Sequence, residues 1–124
     1  MLNHSPLPDL VALGDAARYR ARSDIARRAL LAQRERFSSS TAAHTAAFLL
    51  GRLAESEPEA AINWYDRYLG EAPNGEFASE ALGRKLVAVQ SVSGPQAAKP
   101  LAKEYLRRFP RGAYATKARE LASQ

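Results

Sequence analysis

Tyr68-Leu69-Gly70-Glu71-Ala72-Pro73-Asn74-Gly75 and Tyr105-Leu106-Arg107-Arg108-Phe109-Pro110-Arg111-Gly112 carry the same pattern 37 residues apart. Each opens on a tyrosine–leucine pair, has a bulky or small apolar residue four places on, and closes on Pro-x-Gly. Proline and glycine both disfavour a continuing helix, so the Pro-x-Gly of each block reads as a helix end followed by a tight turn. The cycle extends in both directions. Phe37, Ala72 and Phe109 each end a helical pattern, at spacings of 35 and 37 residues, and Ala43, Ala78 and Ala115 recur just after the turns. Leu13-Gly14, Leu50-Gly51 and Leu82-Gly83 form a further marker, with glycines 37 and 32 residues apart. Self-similarity near this length is the signature of a helix–turn–helix repeat array. A glycine inside a helix costs about 1 kcal/mol relative to alanine, so three of them suggest close approach of a partner helix.

The rest of the chain is helical in pattern. Apolar residues recur at three and four: Ile25, Ala29, Leu30 and Phe37; Ile62, Tyr65, Leu69 and Ala72; Ala98, Leu101, Ala102, Tyr105, Leu106 and Phe109. Seven helices are expected, near 8–20, 23–37, 41–55, 58–72, 76–92, 95–109 and 113–123. Pro8 can open the first, Ser23 can cap the second and Ser40 or Thr41 the third. Ser56 with Glu59 has capping-box spacing ahead of the fourth. Ser93-Gly94-Pro95 separates the fifth from the sixth, and Pro100 predicts a late start or a bend in the sixth. The expected organisation is a flexible tail over 1–7 and a single repeat domain over 8–124. Its repeats span 8–37, 41–72 and 76–109, and a polar capping helix follows.

These residues resemble the tetratricopeptide repeat family. The Leu-Gly of each first helix and the alanine, bulky residue and turn of each second carry the likeness, over about residues 8–123. The two Tyr-Leu…Pro-x-Gly blocks are similar to a variant common in bacterial envelope proteins, such as the outer-membrane assembly lipoproteins and Tol-system coordinators. The whole chain also resembles the C-terminal repeat module of ferric-citrate-type sigma regulators in delta-proteobacteria. The resemblance implies an all-α, right-handed α-solenoid of about three repeats plus a cap. It also implies a concave groove that receives a peptide or partner helix. Positions carried over relative to the glycines give Val11, Phe48 and Glu80, then Asp15, Arg52 and Arg84, then Arg18, Glu55 and Val87. Arg52, Arg84 and Phe48, with Glu55 and Arg18, would then line the groove. Because arginine presents a planar fork to carboxylates, an acidic peptide is the expected ligand. Leu13, Gly14, Leu50, Gly51, Leu82, Gly83, Tyr68, Tyr105 and Phe109 are the structural repeat positions.

Composition narrows the chemistry. A hydrophobic fraction of 46% with 25% charged residues suits a globular domain. The chain has no cysteine, which removes disulfides and thiolate metal sites. No apolar run approaches a membrane span, and residues 1–10 lack the pattern of a signal peptide. His4 and His44 stand apart from any carboxylate or histidine at ligand spacing, so neither a metal nor a cofactor is expected. Ser38, Ser39 and Ser40 read as linker and cap. Glu57 and Glu59 read as charges at a helix start. An enzyme is therefore not expected. Trp64 reads as packing between repeats, with a partner-binding anchor as the alternative.

The expected role is a non-catalytic interaction scaffold in a bacterial regulatory or envelope complex. The formal charge of +5 leaves a nucleic-acid binder as a rival, with Arg20, Arg22, Arg27, Arg28, Arg34 and Arg36 as its patch. A homo-oligomerisation module is a second rival. The charged last helix, with Lys117, Arg119 and Glu120, suggests a monomer or weak dimer. The compartment stays open: cytoplasmic if Met1 is the natural start, periplasmic if the chain is part of a longer envelope protein.

Overall fold

A computed structural model describes the backbone of residues 7–124 and the side chains of residues 18–124. Expectations for His4, Pro8, Val11, Leu13, Gly14 and Asp15, and for the 1–6 stretch of the tail, lie outside the described side chains. Five helices follow one another: α1 (Leu7–Arg36), α2 (Thr41–Leu53), α3 (Pro58–Glu71), α4 (Ala78–Arg108) and α5 (Ala115–Ala122). No strand occurs among the described residues.

Seven helices were expected, and the difference lies in α1 and α4. The helix of α4 is broken at Gly94, whose φ of 88° and ψ of 171° are non-helical. The break is a reversal. Ser79 Oγ and Tyr105 Oη lie 3.3 Å apart across 26 residues. A straight helix would separate them by roughly 39 Å. The N-terminal arm (78–93) and C-terminal arm (95–108) therefore fold back as a hairpin, and Pro95 opens the second arm as Pro58 opens α3. The bend expected at Pro100 is absorbed by this break. Pro100 itself continues the helix on an exposed side.

The expected helices 8–20 and 23–37 are one continuous helix. Ser23 does not cap a second one. The physical difference from the real hairpins is plain: Ala21-Arg22-Ser23 contains neither glycine nor proline, so nothing opposes helical propagation. The stripe assigned there is also corrected. Ile25 and Phe37 are 60% and 59% exposed. The face turned to α2 consists instead of Ser23, Ala26, Leu30, Gln33 and Arg34, all half-buried and spaced at three and four. The capping box expected at Ser56 is absent as well: Glu57 holds the cap position without a side-chain bond, ahead of Pro58.

The three turns share one hydrogen-bond ladder. The Phe37, Ala72 and Phe109 N–H groups donate to the carbonyls of Gln33, Tyr68 and Tyr105. Ser40, Gly75 and Gly112 N–H groups then donate to Phe37, Ala72 and Phe109, each at 2.9 Å. In the second and third turns the Ala78 and Ala115 N–H groups reach the carbonyls of Gly75 and Gly112. In the first, Ala43 N–H reaches the Ser40 hydroxyl at 3.0 Å. The later turns add a tyrosine clamp. Tyr68 Oη accepts from Phe77 N–H at 2.9 Å, and Tyr105 Oη accepts from Tyr114 N–H at 3.1 Å. A Cβ at Gly75 or Gly112 would collide with these hydroxyls, which is why glycine stands at both.

The core follows the same period. One cluster gathers Ala47, Phe48, Ala61, Tyr65, Tyr68 and Ala81, and a second gathers Leu82, Leu86, Ala98, Ala102, Tyr105 and residues of α5. Burying each large side chain contributes about 1.5–3 kcal/mol. By the register of the turns, Gly51 corresponds to Leu86 and Gly83 to Phe48. The Leu-Gly pairs at 50–51 and 82–83 are thus not equivalent positions, although each glycine lies directly under a ring, of Tyr65 and Tyr114 respectively.

Two glycines separate backbone strain from helix propensity, because an added Cβ meets nothing at either Gly94 or Gly70. Gly94→Ala is expected to destabilise by about 1–3 kcal/mol through its backbone conformation alone. Gly70→Ala, inside α3, is expected to stabilise by about 0.5 kcal/mol. Urea unfolding followed by circular dichroism measures both.

Candidate interaction surface

The charges that tie alternate helices together also shape the surface. Arg34, near the end of α1, donates from Nη1 and Nη2 to the two carboxylate oxygens of Glu71 at the end of α3, at 2.9 and 2.7 Å. Its Nη1 also reaches the Ala43 carbonyl at 2.6 Å. Its guanidinium stands 5.6 Å from the Trp64 ring centre, and that of Arg67 stands 5.5 Å from it. Trp64 is thereby a half-buried packing element beside two arginines. One repeat further on, Arg108 Nη2 donates to the Pro73 carbonyl at 2.6 Å.

On the opposite edge runs a second chain of polar contacts. Tyr65 Oη donates to Glu55 Oε2 at 2.6 Å. Arg84 Nη1 donates to both Glu55 oxygens at 2.8 and 2.9 Å, while its Nε donates to Glu80 Oε2 at 2.7 Å. Tyr114 Oη completes it, donating to Glu80 Oε2 at 3.0 Å. The run links the end of α2, the middle of α3, the N-terminal arm of α4 and the entry to α5. Burial, then the hydrogen bond to Glu55, raises the Tyr65 hydroxyl far above the ordinary tyrosine range. Burial and Glu80 raise Tyr114 in the same way. Burial works against the Arg84 charge, but its bonds to Glu55 and Glu80 outweigh it and hold the guanidinium protonated.

Two open clefts flank Glu55. The first, about 640 Å³, lies between α1 and α2. Its walls are Tyr19, Ala29 and Leu30 from α1, and Leu49, Arg52 and Leu53 from α2. Arg18 and Arg22 continue the Ala26–Ala29 stripe of α1 by helical spacing and are exposed at its upper end. The second cleft, about 570 Å³, lies between the start of α3 and the N-terminal arm of α4, with Arg84, Val87 and Tyr114 in its wall.

The expected groove residues are therefore divided. Arg52 and Glu55 line the first cleft, and Glu55 and Arg84 line the second. Phe48 does not stand beside them. It is only 2% exposed and stacks on Phe77 with ring centres 4.7 Å apart. Arg84 is already engaged by two carboxylates. Tyr19, Leu49 and Leu53 also wall the first cleft and belong to none of the apolar stripes or repeat markers read from the sequence. Tyr114 had a usable signal: it stands 37 residues after Phe77, at the same place in the turn.

His44 is half-buried in α2. Among the described residues, no group of three histidine, aspartate or glutamate side chains is arranged to hold a metal ion. None of their helices is long and apolar enough to cross a membrane. No protein-family model, curated protein or solved structure matches the chain.

The Arg34–Glu71 pair gives a pH test. The hydrogen bonds from Arg34 outweigh burial and hold the Glu71 carboxyl below its ordinary value of 4.5. Its folded pKa is depressed, so its contribution is complete above 4.5 and disappears as pH falls through the lower folded value. Glu71→Gln is expected to cost about 1 kcal/mol at pH 7. The gap to wild type should close on acidification, as followed by urea unfolding at stepped pH.

Proposed function

We propose that this chain is a non-catalytic protein–protein interaction scaffold, built as stacked tetratricopeptide-like helical pairs with a C-terminal capping helix. A partner segment is held in the cleft between α1 and α2. The observation that carries the reading is the recurrence of one turn at 37–43, 72–78 and 109–115, with the same first two backbone bonds and a third bond made to a backbone carbonyl in the later two and to the Ser40 hydroxyl in the first. Recurring turns of one geometry set successive helical pairs at a constant angle. An array of that kind presents elongated surfaces rather than an enclosed pocket.

Two further features agree. Contacts between alternate helices run along both edges, through Arg34–Glu71 on one and Glu55–Arg84 on the other. The cleft has an apolar floor from Ala26, Leu30, Leu49 and Leu53, and Arg52 stands on its rim. That combination suits a helix or extended segment that buries an apolar face and carries carboxylates beside it.

A photo-reactive residue at Leu53, introduced in the native cell, tests the reading without assuming the partner's charge. A discrete protein crosslink is expected, lost on Arg52→Glu with helicity retained. Crosslinking indistinguishable from that at an exposed residue far from the cleft, such as Arg107, would remove the scaffold reading.

A further inference from the structure

The second cleft is acidic, although Arg84 stands in its wall. Arg84 is bonded to the carboxylates of both Glu55 and Glu80, so two negative charges there meet one positive charge. Pro58 borders this cleft and also a third, of about 480 Å³, whose walls include Glu57, Glu59, Asn63 and Val92. On the α4 side both clefts are bounded by one face of the N-terminal arm, formed by Arg84, Val87, Ala88, Ser91 and Val92. That face is about 12 Å long.

Four glutamates, Glu55, Glu57, Glu59 and Glu80, thus stand along this groove against one arginine, a net of −3 in a chain whose formal charge is +5. No other lysine or arginine lines either cleft, and Arg52 lines the α1–α2 cleft instead. Glu57 and Glu59 are exposed, and among the described residues neither enters an ion pair. Between these charges lie Val87 and Val92, 42% and 40% exposed. From residue 41 onward they are the large apolar side chains most open to water. Water and small ions satisfy the glutamates, but they do not satisfy the valines.

The geometry points to this groove as the docking site for a basic segment of another protein, with lysine or arginine side chains laid along it. Such side chains carry both chemistries at once, because the methylene stem covers apolar surface while the charged head stays at its edge. Stems over Val87 and Val92 bring the heads to Glu55, Glu57 and Glu59. An acidic segment is repelled by the same glutamates, and so is a nucleic-acid backbone. The groove shares only Glu55 with the α1–α2 cleft, and the inference goes beyond the scaffold reading of that cleft.

The test uses the full chain and a fluorescent 12-residue peptide of lysine, leucine and serine in equal numbers, followed by anisotropy, with a version carrying glutamate for lysine beside it. The lysine peptide is expected to bind, more tightly at low salt. Binding should weaken at least tenfold on Glu57→Lys with Glu59→Lys, and at least threefold on Val87→Ser with Val92→Ser. All four positions are exposed, and circular dichroism checks that the helices remain. Glu57→Gln with Glu59→Gln is the milder variant if they do not. Glu76→Lys with Glu120→Lys makes the same change in total charge away from the groove and is expected to leave binding within twofold. No binding to the wild type, equal binding of the glutamate peptide, unchanged binding by either groove variant, or an equal loss on the control would overturn the inference. So would a concentration-dependent oligomer, seen by sedimentation, that Glu57→Lys with Glu59→Lys dissociates, because the occupant is then a second copy of this chain. A discrete crosslink at Leu53 alongside any of these failures leaves the scaffold reading standing, and loss of that crosslink with groove binding intact does the reverse.

Discussion

A tyrosine hydroxyl at the second turn and another at the third fix how the helices on either side of each turn meet. Tyr68 Oη takes the N–H of Phe77, and Tyr105 Oη takes that of Tyr114. In each case the side chain comes from the last turn of one helix, and the N–H from the cap residue of the following helix. The ring is buried, so its hydroxyl cannot be satisfied by bulk water, and the cap N–H has no partner within its own helix. Both groups are satisfied only when the two helices hold one relative position. Glycine at 75 and 112 is the steric condition for this arrangement, since any side chain there would displace the hydroxyl. The first turn has Gln33 where the later ones have tyrosine. There the Ser40 hydroxyl caps the helix instead, and the clamp is missing at the end of the array where α1 fails to fold back.

Within this frame the core exchanges volumes between repeats without changing its shape. Phe48 and Phe77 stack ring on ring in the first interface. At the corresponding place in the next, Gly83 leaves bare backbone and the Tyr114 ring lies against it. The trade runs the other way between the helices of a pair. Gly51 sits under Tyr65, whereas Leu86 and Ala102 fill the equivalent positions in the second cluster. Small opposes large in each case, and close packing is kept. This also explains why glycines 32 residues apart are a poor guide to register. They mark the smaller partner of two different contacts, and only the turns mark the period.

How much of this was legible depends on the kind of signal. The turns were readable because Pro-x-Gly and the tyrosine four residues before the helix end are local chemistry, and the helices from 41 onward follow from them within a few residues. The reversal at Gly94 was readable for the same reason: Gly-Pro forbids a straight helix. The hairpin expected at 21–23 failed because it rested on period and on Ser23 alone, and a serine permits a helix start without enforcing one. Phe48 was misplaced because its assignment to the groove relied on the Leu-Gly register. Arg52 and Glu55 lie on an open surface, but the engagement of Arg84 by Glu55 and Glu80 joins residues 29 positions apart in the first case and four apart on one helix in the second. No pattern along the chain announces the first of these contacts.

The pairing of charges follows from the same architecture. α2, α3 and α4 each pack against two neighbouring helices, and ionic groups pair between elements in Glu55–Arg84 and Lys85–Asp66 and within α4 in Arg108–Glu104. An unmatched charge between two packed helices would cost desolvation without return. α1 is under no such constraint on its outer side, where water screens each arginine. A solvated helix can therefore hold seven arginines against four acidic residues, a net of +3, at little cost to stability, yet stability gives no reason to put exposed Ile25 and Leu31 among those charges. Apolar side chains set within a basic field lose free energy in water and recover it only when covered.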